Sequence, residues 1–332
     1  NERFDRRMTA FKPIADRRAN RGQNPQSQWV SRYRENFTNR GSLVRCQVRH
    51  AYAVTVSGNP AWPGPEAGRT PRVGLSTSSV YPESTASCFE LASRLGYDGV
   101  EVMVGIDPVS RDVDALVQLR EYHGVDVLSI HAPTLLVTQG TWGNDPWEKL
   151  ERSALAAHRL GADSVVVHPP FRWQRSYAQG FIEGVRRLER TTGIIFAVEN
   201  MFPWRGPRGT EVRAYSPGWD PTERDYDHLT LDLSHASTSK QKSLDLVDAW
   251  GERLTHVHLT DGDGSIADSH LFPGEGDQDA HKVLATLAAR GFAGHVVLEL
   301  NTRSIGSRSA REEALARALA WSREALTVPV VR

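Results

Sequence analysis

The residues of this chain best suited to chemistry are imidazoles and carboxylates placed where apolar runs end. Residues 254–276, LTHVHLTDGDGSIADSHLFPGEG, concentrate them. A short apolar alternation carrying His256 and His258 reads as a buried strand. It gives way to a polar loop with Asp261, Asp263, Asp268 and His270 and closes on Pro273-Gly-Glu-Gly276. Imidazole and carboxylate donors crowded at a strand end are what a metal site requires, and glycines beside them allow the backbone to approach a ligand. The same arrangement recurs upstream and downstream. Apolar runs end on His131-Ala-Pro, His168-Pro-Pro, Glu199-Asn, Leu-Asp232-Leu-Ser-His235 and Glu299. Carboxylates gathered in one buried place must protonate or find positive charge, and a divalent cation supplies it.

The elements that must position these residues follow one repeating unit: an apolar β-type run, a polar turn and an amphipathic helical pattern. The spacing predicts strands at 72–76, 99–104, 125–131, 164–168, 194–199, 229–233, 254–259 and 295–300. Helices are predicted at 85–95, 113–122, 146–160, 177–191, 244–251, 279–290 and 310–325, with a short helical turn near 221–227. Gly96, Gly124, Gly161, Gly193 and Gly291 fall where helices should end. Eight such units are the number needed for a closed (β/α)8 barrel, an α/β TIM barrel, spanning residues 71–332. An open doubly wound sheet would carry a glycine-rich phosphate turn after its first strand, and LSTSSVYPES is not one. In a closed parallel barrel the carboxyl ends of all strands share one face, so six consecutive strands deliver metal-competent side chains to a single mouth.

The formal net charge is zero, but it is unevenly spread. Residues 1–70 hold 13 Lys+Arg and 5 Asp+Glu, leaving 27 basic and 35 acidic residues for the remainder. The first part is rich in Arg, Asn, Gln and Pro and lacks periodicity, so it reads as a disordered basic extension. Hydrophobic content of 39% and charged content of 24% describe a soluble globular domain. No apolar run reaches the ~20 residues of a membrane span, and two cysteines make no disulfide framework. A reducing cytoplasm is therefore the expected compartment. Homo-oligomerisation is left open.

The strand-end residues resemble the xylose isomerase-like TIM-barrel superfamily, which includes sugar-phosphate isomerases and epimerases and the endonuclease IV nucleases. The likeness covers about residues 72–326. In the ketose 3-epimerase branch one metal is held by Glu, Asp, His and Glu from strands 5 to 8, positions occupied here by Glu199, Asp232, His258 and Glu299. The resemblance implies that Glu199 and Glu299 are catalytic, exchanging a proton with the substrate carbon while a divalent metal (Mn, Mg, Co or Zn) steadies an enediolate. The nuclease branch adds five ligands to hold three zinc ions. Their counterparts are His131, His168, His235, Asp268 and His270. Asp268-x-His270-x-x-x-Gly274-x-Gly276 is closer to the nuclease, and no arginine stands between His258 and Gly276, where epimerases place a substrate-binding one. Departures from the nuclease are His258-Leu-Thr260-Asp261-Gly-Asp263 in place of His-x-Asn-Asp-Ser-Lys, Ser269 for a large Arg or Trp, and Pro273 for an aliphatic residue.

A full ligand inventory thus allows two or three zinc ions. The acidic barrel has no Lys/Arg cluster in the loop between His258 and Gly276, and phosphate backbones usually need one. A small sugar or sugar phosphate therefore ranks ahead of DNA as substrate. The long Pro/Gly-rich link at 201–221 reads as a lid or binding loop in which Trp204, Tyr215 and Trp219 stack on a sugar. Arg205, Arg208 and Arg213 there, and Arg172 or Arg175 after strand 4, are candidates for an anionic group, with Trp173 beside them as a substrate-binding aromatic. Thr138 to Trp142 forms another wall. Glu101 reads equally as a carboxylate behind the ligands or a partner in a helix-layer ion pair. His123, His158, His228, His256, His281 and His295 read as structural.

Overall fold

A computed structural model describes residues 70–205 and 210–327. The expected basic extension at 1–70, apart from Thr70, lies outside them, as do Cys46 and Arg208. Eight parallel strands close into a barrel in sequence order: β1 Arg72–Ser76, β2 Gly99–Met103, β3 Val127–His131, β4 Ser164–Val167, β5 Ile195–Glu199, β6 Leu229–Asp232, β7 Leu254–Leu259 and β8 His295–Leu298. The runs are rich in Val, Ile and Leu because both faces are covered, by helices outside and by neighbouring side chains within. Nearly every strand position is buried.

The outer layer holds helices α1 Thr85–Leu95, α2 Val113–His123 and α3 Pro146–Leu160, then α4 Arg175–Gln179 and α5 Phe181–Thr192. It continues with α6 Leu233–Thr238, α7 Ser243–Trp250, α8 Ala280–Ala289 and α9 Arg308–Thr327. Ser84, Asp112 and Asp145 cap the first three through side-chain oxygens that accept backbone N–H groups. Gly96 ends α1 in the left-handed conformation, φ 83°. No helix among the described residues is long and apolar enough to cross a membrane.

Several elements depart from the sequence expectation. The helix expected at 177–191 is two, parted at Gly180, which also serves as the N-terminal boundary of α5. The helical turn expected at 221–227 is a series of non-helical turns. One helix was not expected: α6, LSHAST, starts directly from β6, with Asp232 as its cap accepting from the His235 N–H at 2.8 Å. The link after β5 contains a two-residue antiparallel ladder, Trp204–Arg205 with Glu211–Val212. That link is zipped to the loop after β4 by a Phe171–Tyr215 bridge and by Arg172 N donating to Ala214 O at 2.8 Å. Phe171, Met201, Ala214 and Tyr215 form a small apolar cluster of their own, with Trp204 and Trp219 packed against it.

Candidate metal centre

The alternation of β7 decides which side chains reach the barrel axis. Val257 and Leu259 face the helices, whereas His256 and His258 face inward, at successive depths. His258 stands level with Asp232 on one side and Val297 on the other. One layer down, His256 is level with His295, and Glu101 is level with Ser129.

Glu199, at the end of β5, is the hub. Its Oε2 lies 3.3 Å from His131 Nε2 and 2.9 Å from His168 Nε2, and its Oε1 lies 3.2 Å from His235 Nδ1 and 3.1 Å from His258 Nδ1. His258 Nδ1 is also 3.1 Å from Glu299 Oε2 and 3.6 Å from Asp232 Oδ2. Asp268 Oδ2 sits between His235 Nε2 at 3.2 Å and His270 Nε2 at 2.9 Å. All nine candidate ligands are therefore brought together at one mouth. Seven of them line a cavity of about 430 Å3, while Asp232 and His258 are fully buried beneath it. Donor atoms of His131–Glu199–His258, Asp232–His258–Glu299 and Asp232–His235–His270 lie close enough together to hold a metal ion.

The hydrogen bonds test whether a cation fits. His270 Nδ1 is 2.8 Å from the Glu299 carbonyl, and His235 Nδ1 is 2.8 Å from the Asn200 carbonyl. A carbonyl only accepts, so each Nδ1 carries a proton, and each Nε2 faces Asp268 with either a second proton or a lone pair free for a cation. Lone pair facing carboxylate is repulsive unless a proton or a cation lies between them. His258 is held in the same way, its outer Nε2 3.1 Å from Glu101 Oε1 and its inner Nδ1 toward the acids. Outer partners that orient an imidazole toward a metal are the usual second layer of such sites. Glu199 Oε2 and Asp232 Oδ2, both buried, lack any partner in hydrogen-bond geometry. The residues fit a divalent cation.

The electrostatics agree. Burial by itself would raise the Glu199 carboxyl, but the imidazoles of His258 and His168 hold it well below the usual range. Burial opposes charge on His258 and His235. Glu101, Glu299 and Glu199 nevertheless keep His258 well above an ordinary histidine, and Asp232 and Asp268 do so for His235. His270 is pushed up to about 10 against burial, chiefly by Asp268 and Asp232. At Glu299 burial prevails over His258 and His270, and the carboxyl is raised. Protons on imidazole thus supply the positive charge the acids need, and a metal that binds releases them.

Other expectations fall differently. Trp204 lines the cavity, but Arg172 and Trp173 line a separate shallow groove beside it, and Arg205 is not among the cavity-lining residues. The β4 loop pairs through its backbone with the link after β5, and this pairing sets Arg172 and Trp173 in that groove. The glycines of Pro273-Gly-Glu-Gly276 close a loop rather than admit a ligand. Asp261 accepts from Gly262, Gly274 and Gln278 N–H groups, and a Cβ on Gly276 would lie 2.2 Å from Gly262 O. Glu101, read ambiguously from sequence, is wholly buried, accepts from Ser129 Oγ at 2.7 Å and has no helix-layer partner among its contacts. His256, read as structural, is fully buried, and burial lowers its pKa to about 4. Ser78, Phe202 and Arg303 line the cavity without any sequence signal that singled them out.

The profile described as xylose isomerase-like TIM barrel matches residues 89–325. An uncharacterised protein of Mycobacterium tuberculosis is 48% identical over 270 residues, 76% of this chain and 96% of that protein. A fructoselysine 3-epimerase of Escherichia coli is 29% identical over 72 residues, 22% of this chain and 26% of the epimerase. Among solved structures, a D-tagatose 3-epimerase-like protein matches with a TM-score of 0.53 at 23% identity, covering 76% of this chain and 98% of that one. An AP endonuclease, family 2, from Brucella melitensis matches at 0.56 and 20%, covering 75% and 98%. These structural likenesses show the fold, and the profile shows the lineage: the chain belongs to the xylose isomerase-like TIM-barrel family.

Proposed function

We propose that this barrel is a divalent-metal-dependent isomerase or epimerase of a small sugar or sugar phosphate. The observation that carries the reading is the convergence of Glu199 and Glu299 on His258 Nδ1, each at 3.1 Å, at a cavity whose volume suits a monosaccharide. Glu199, Asp232, His258 and Glu299 would hold the cation. When bound, such a cation supplies the charge that stabilises an oxyanion developing on the substrate. The two glutamates act on the proton, each able to take or return one at its Oε atoms from its own side of the cavity. Ser78 Oγ, 3.4 Å from Glu299 Oε1, orients the second carboxylate. Phe202 and Trp204 give the cavity apolar walls that exclude water. The segment shared with a fructoselysine 3-epimerase supports a sugar substrate.

A second reading, a two- or three-zinc phosphodiesterase, is favoured by Asp268 between His235 and His270 and by His131 and His168 beside Glu199. It ranks below the first because Arg303 is the one Lys/Arg side chain lining the cavity among the described residues, too little for a polyanionic strand. Elemental analysis of the purified protein and a panel of sugars and sugar phosphates with an abasic-duplex control test both. One metal per chain with carbohydrate turnover supports the first reading. Two or three zinc ions with strand cleavage overturn it.

A further inference from the structure

Beside the cavity, the loop after β4 and the link after β5 enclose a second, open groove of about 640 Å3. Arg172, Arg175 and Arg213 line it together with Trp173 and Trp204. We propose that this groove is a phosphoryl-binding subsite, and that the substrate of the barrel is therefore a sugar phosphate whose polyol chain passes Trp204 into the cavity. The inference rests on the carbohydrate reading above and narrows it.

The charge distribution carries the argument. Several arginines of the barrel pair with acids, Arg72 with Asp126, Arg186 with Asp225 and Asp227, Arg311 with Glu83 and Arg323 with Asp98. Arg172, Arg175 and Arg213 make no ion pair among the described residues, although the barrel has an acidic excess. Three arginines thus line one groove, and the planar donor fork of each guanidinium suits a phosphoryl group. The cavity interior is the reverse. Its acids and imidazoles are arranged for a cation, so a phosphoryl dianion placed inside would face carboxylates. The two environments meet at Trp204, which lines both.

The partition between them is built from packed aromatic rings. Trp173 stacks on Phe171 with ring centroids 4.5 Å apart and planes 5° from parallel, and Trp204 lies 6.1 Å from Trp173. Phe171 in turn stacks on Tyr215 at 5.3 Å. Trp173 is 55% exposed despite that stacking, leaving an apolar face for the carbon chain of a ligand crossing the rim. A nucleic-acid strand would need a basic track continuing past these three side chains, and the acidic balance of the barrel speaks against one.

The test is calorimetric titration of glucitol and glucitol 6-phosphate, polyols that bind without turnover, into the full chain and into R172Q/R213Q. The expected result is that the parent binds glucitol 6-phosphate at least about tenfold more tightly than glucitol. The double variant should lose that advantage while its affinity for glucitol and its thermal midpoint stay the same. Inorganic phosphate should compete with glucitol 6-phosphate only in the parent. Equal affinity of the parent for the two polyols, or an equal loss for both in the variant, overturns the subsite. Displacement of the polyol phosphate by a short oligonucleotide at lower concentration than by phosphate overturns it in favour of nucleic acid. If no sugar is turned over yet the arginine-dependent preference persists, the isomerase reading falls and the subsite stands.

Discussion

At the floor of the cavity, side chains from β3 to β8 point carboxylates and imidazoles at one another. At its rim, the loops leaving β4 and β5 turn arginines and tryptophans outward. The floor is buried, so every charge there is tied to a neighbour and to its depth in the barrel. The rim is exposed, and its Arg172, Arg175 and Arg213 make no ion pair among the described residues. Floor geometry is dictated by strand register, in which Asp232 and His258 are level across β6 and β7. Rim geometry depends on a backbone bridge between two loops. On the proposed reading, the contrast assigns reaction type to the buried floor and substrate class to the exposed rim.

The largest effect expected from breaking the floor is at Glu199. Glu199→Gln removes the carboxylate that four imidazoles face, and turnover should fall by roughly 10^3-fold or more, together with metal content measured by elemental analysis. Normal metal content and activity would detach the hub from the chemistry. His131→Ala then sharpens the count of metals. A loss of activity within about tenfold fits a single ion held by Glu199, Asp232, His258 and Glu299, whereas collapse to the Glu199→Gln level fits a multinuclear site. Glu101→Gln probes the layer beneath. It leaves the cavity lining intact but weakens the acceptor on His258 Nε2, so metal affinity should fall about 10- to 100-fold with the circular-dichroism spectrum retained.

The smallest expected effect lies away from both regions and serves as a control. Burial, aided by Asp227 and opposed by the Phe196 N–H, raises the Glu189 carboxyl to about 7. The folded chain therefore holds this proton more tightly than the unfolded chain. The resulting stabilisation is complete below the ordinary glutamate range and is lost as pH rises through about 7. Glu189→Gln keeps the acceptor for Phe196 and does not ionise. Its thermal midpoint should exceed the parent's at pH 8, by an amount on the order of 2 kcal/mol in stability, and the gap should close toward pH 5. No gap at pH 8 would show the carboxyl to be solvated.

Sequence reading reached the floor well and the rim poorly, for reasons visible in single residues. His131, Glu199, Asp232 and His258 each close a strand whose period of two and apolar neighbours leave little choice of face, and the repeated β/α order sends all strand ends to one mouth. α6 was missed because LSHAST carries no apolar repeat; its start is set by the Asp232 cap and by Ser234 N donating to Thr260 Oγ1 at 2.8 Å. Glu101 stayed ambiguous because pattern cannot say whether a strand carboxylate meets a helix or an imidazole across the barrel. Its contact with His258 spans 157 residues. Arg172 and Trp173 read as substrate-binding residues of the cavity, but the Phe171–Tyr215 bridge sets them in a groove of their own.

The order of residues alone determined the class of fold, the eight strands and the choice of donors at their ends, because these follow from local period and chain succession. Which nitrogen of each imidazole faces the acids, which carboxylate backs His258 and which wall the arginines occupy were decided only when distant strands closed the barrel. Hydrogen-bond direction and burial are properties of neighbours in space, and the neighbours that matter here are far apart along the chain.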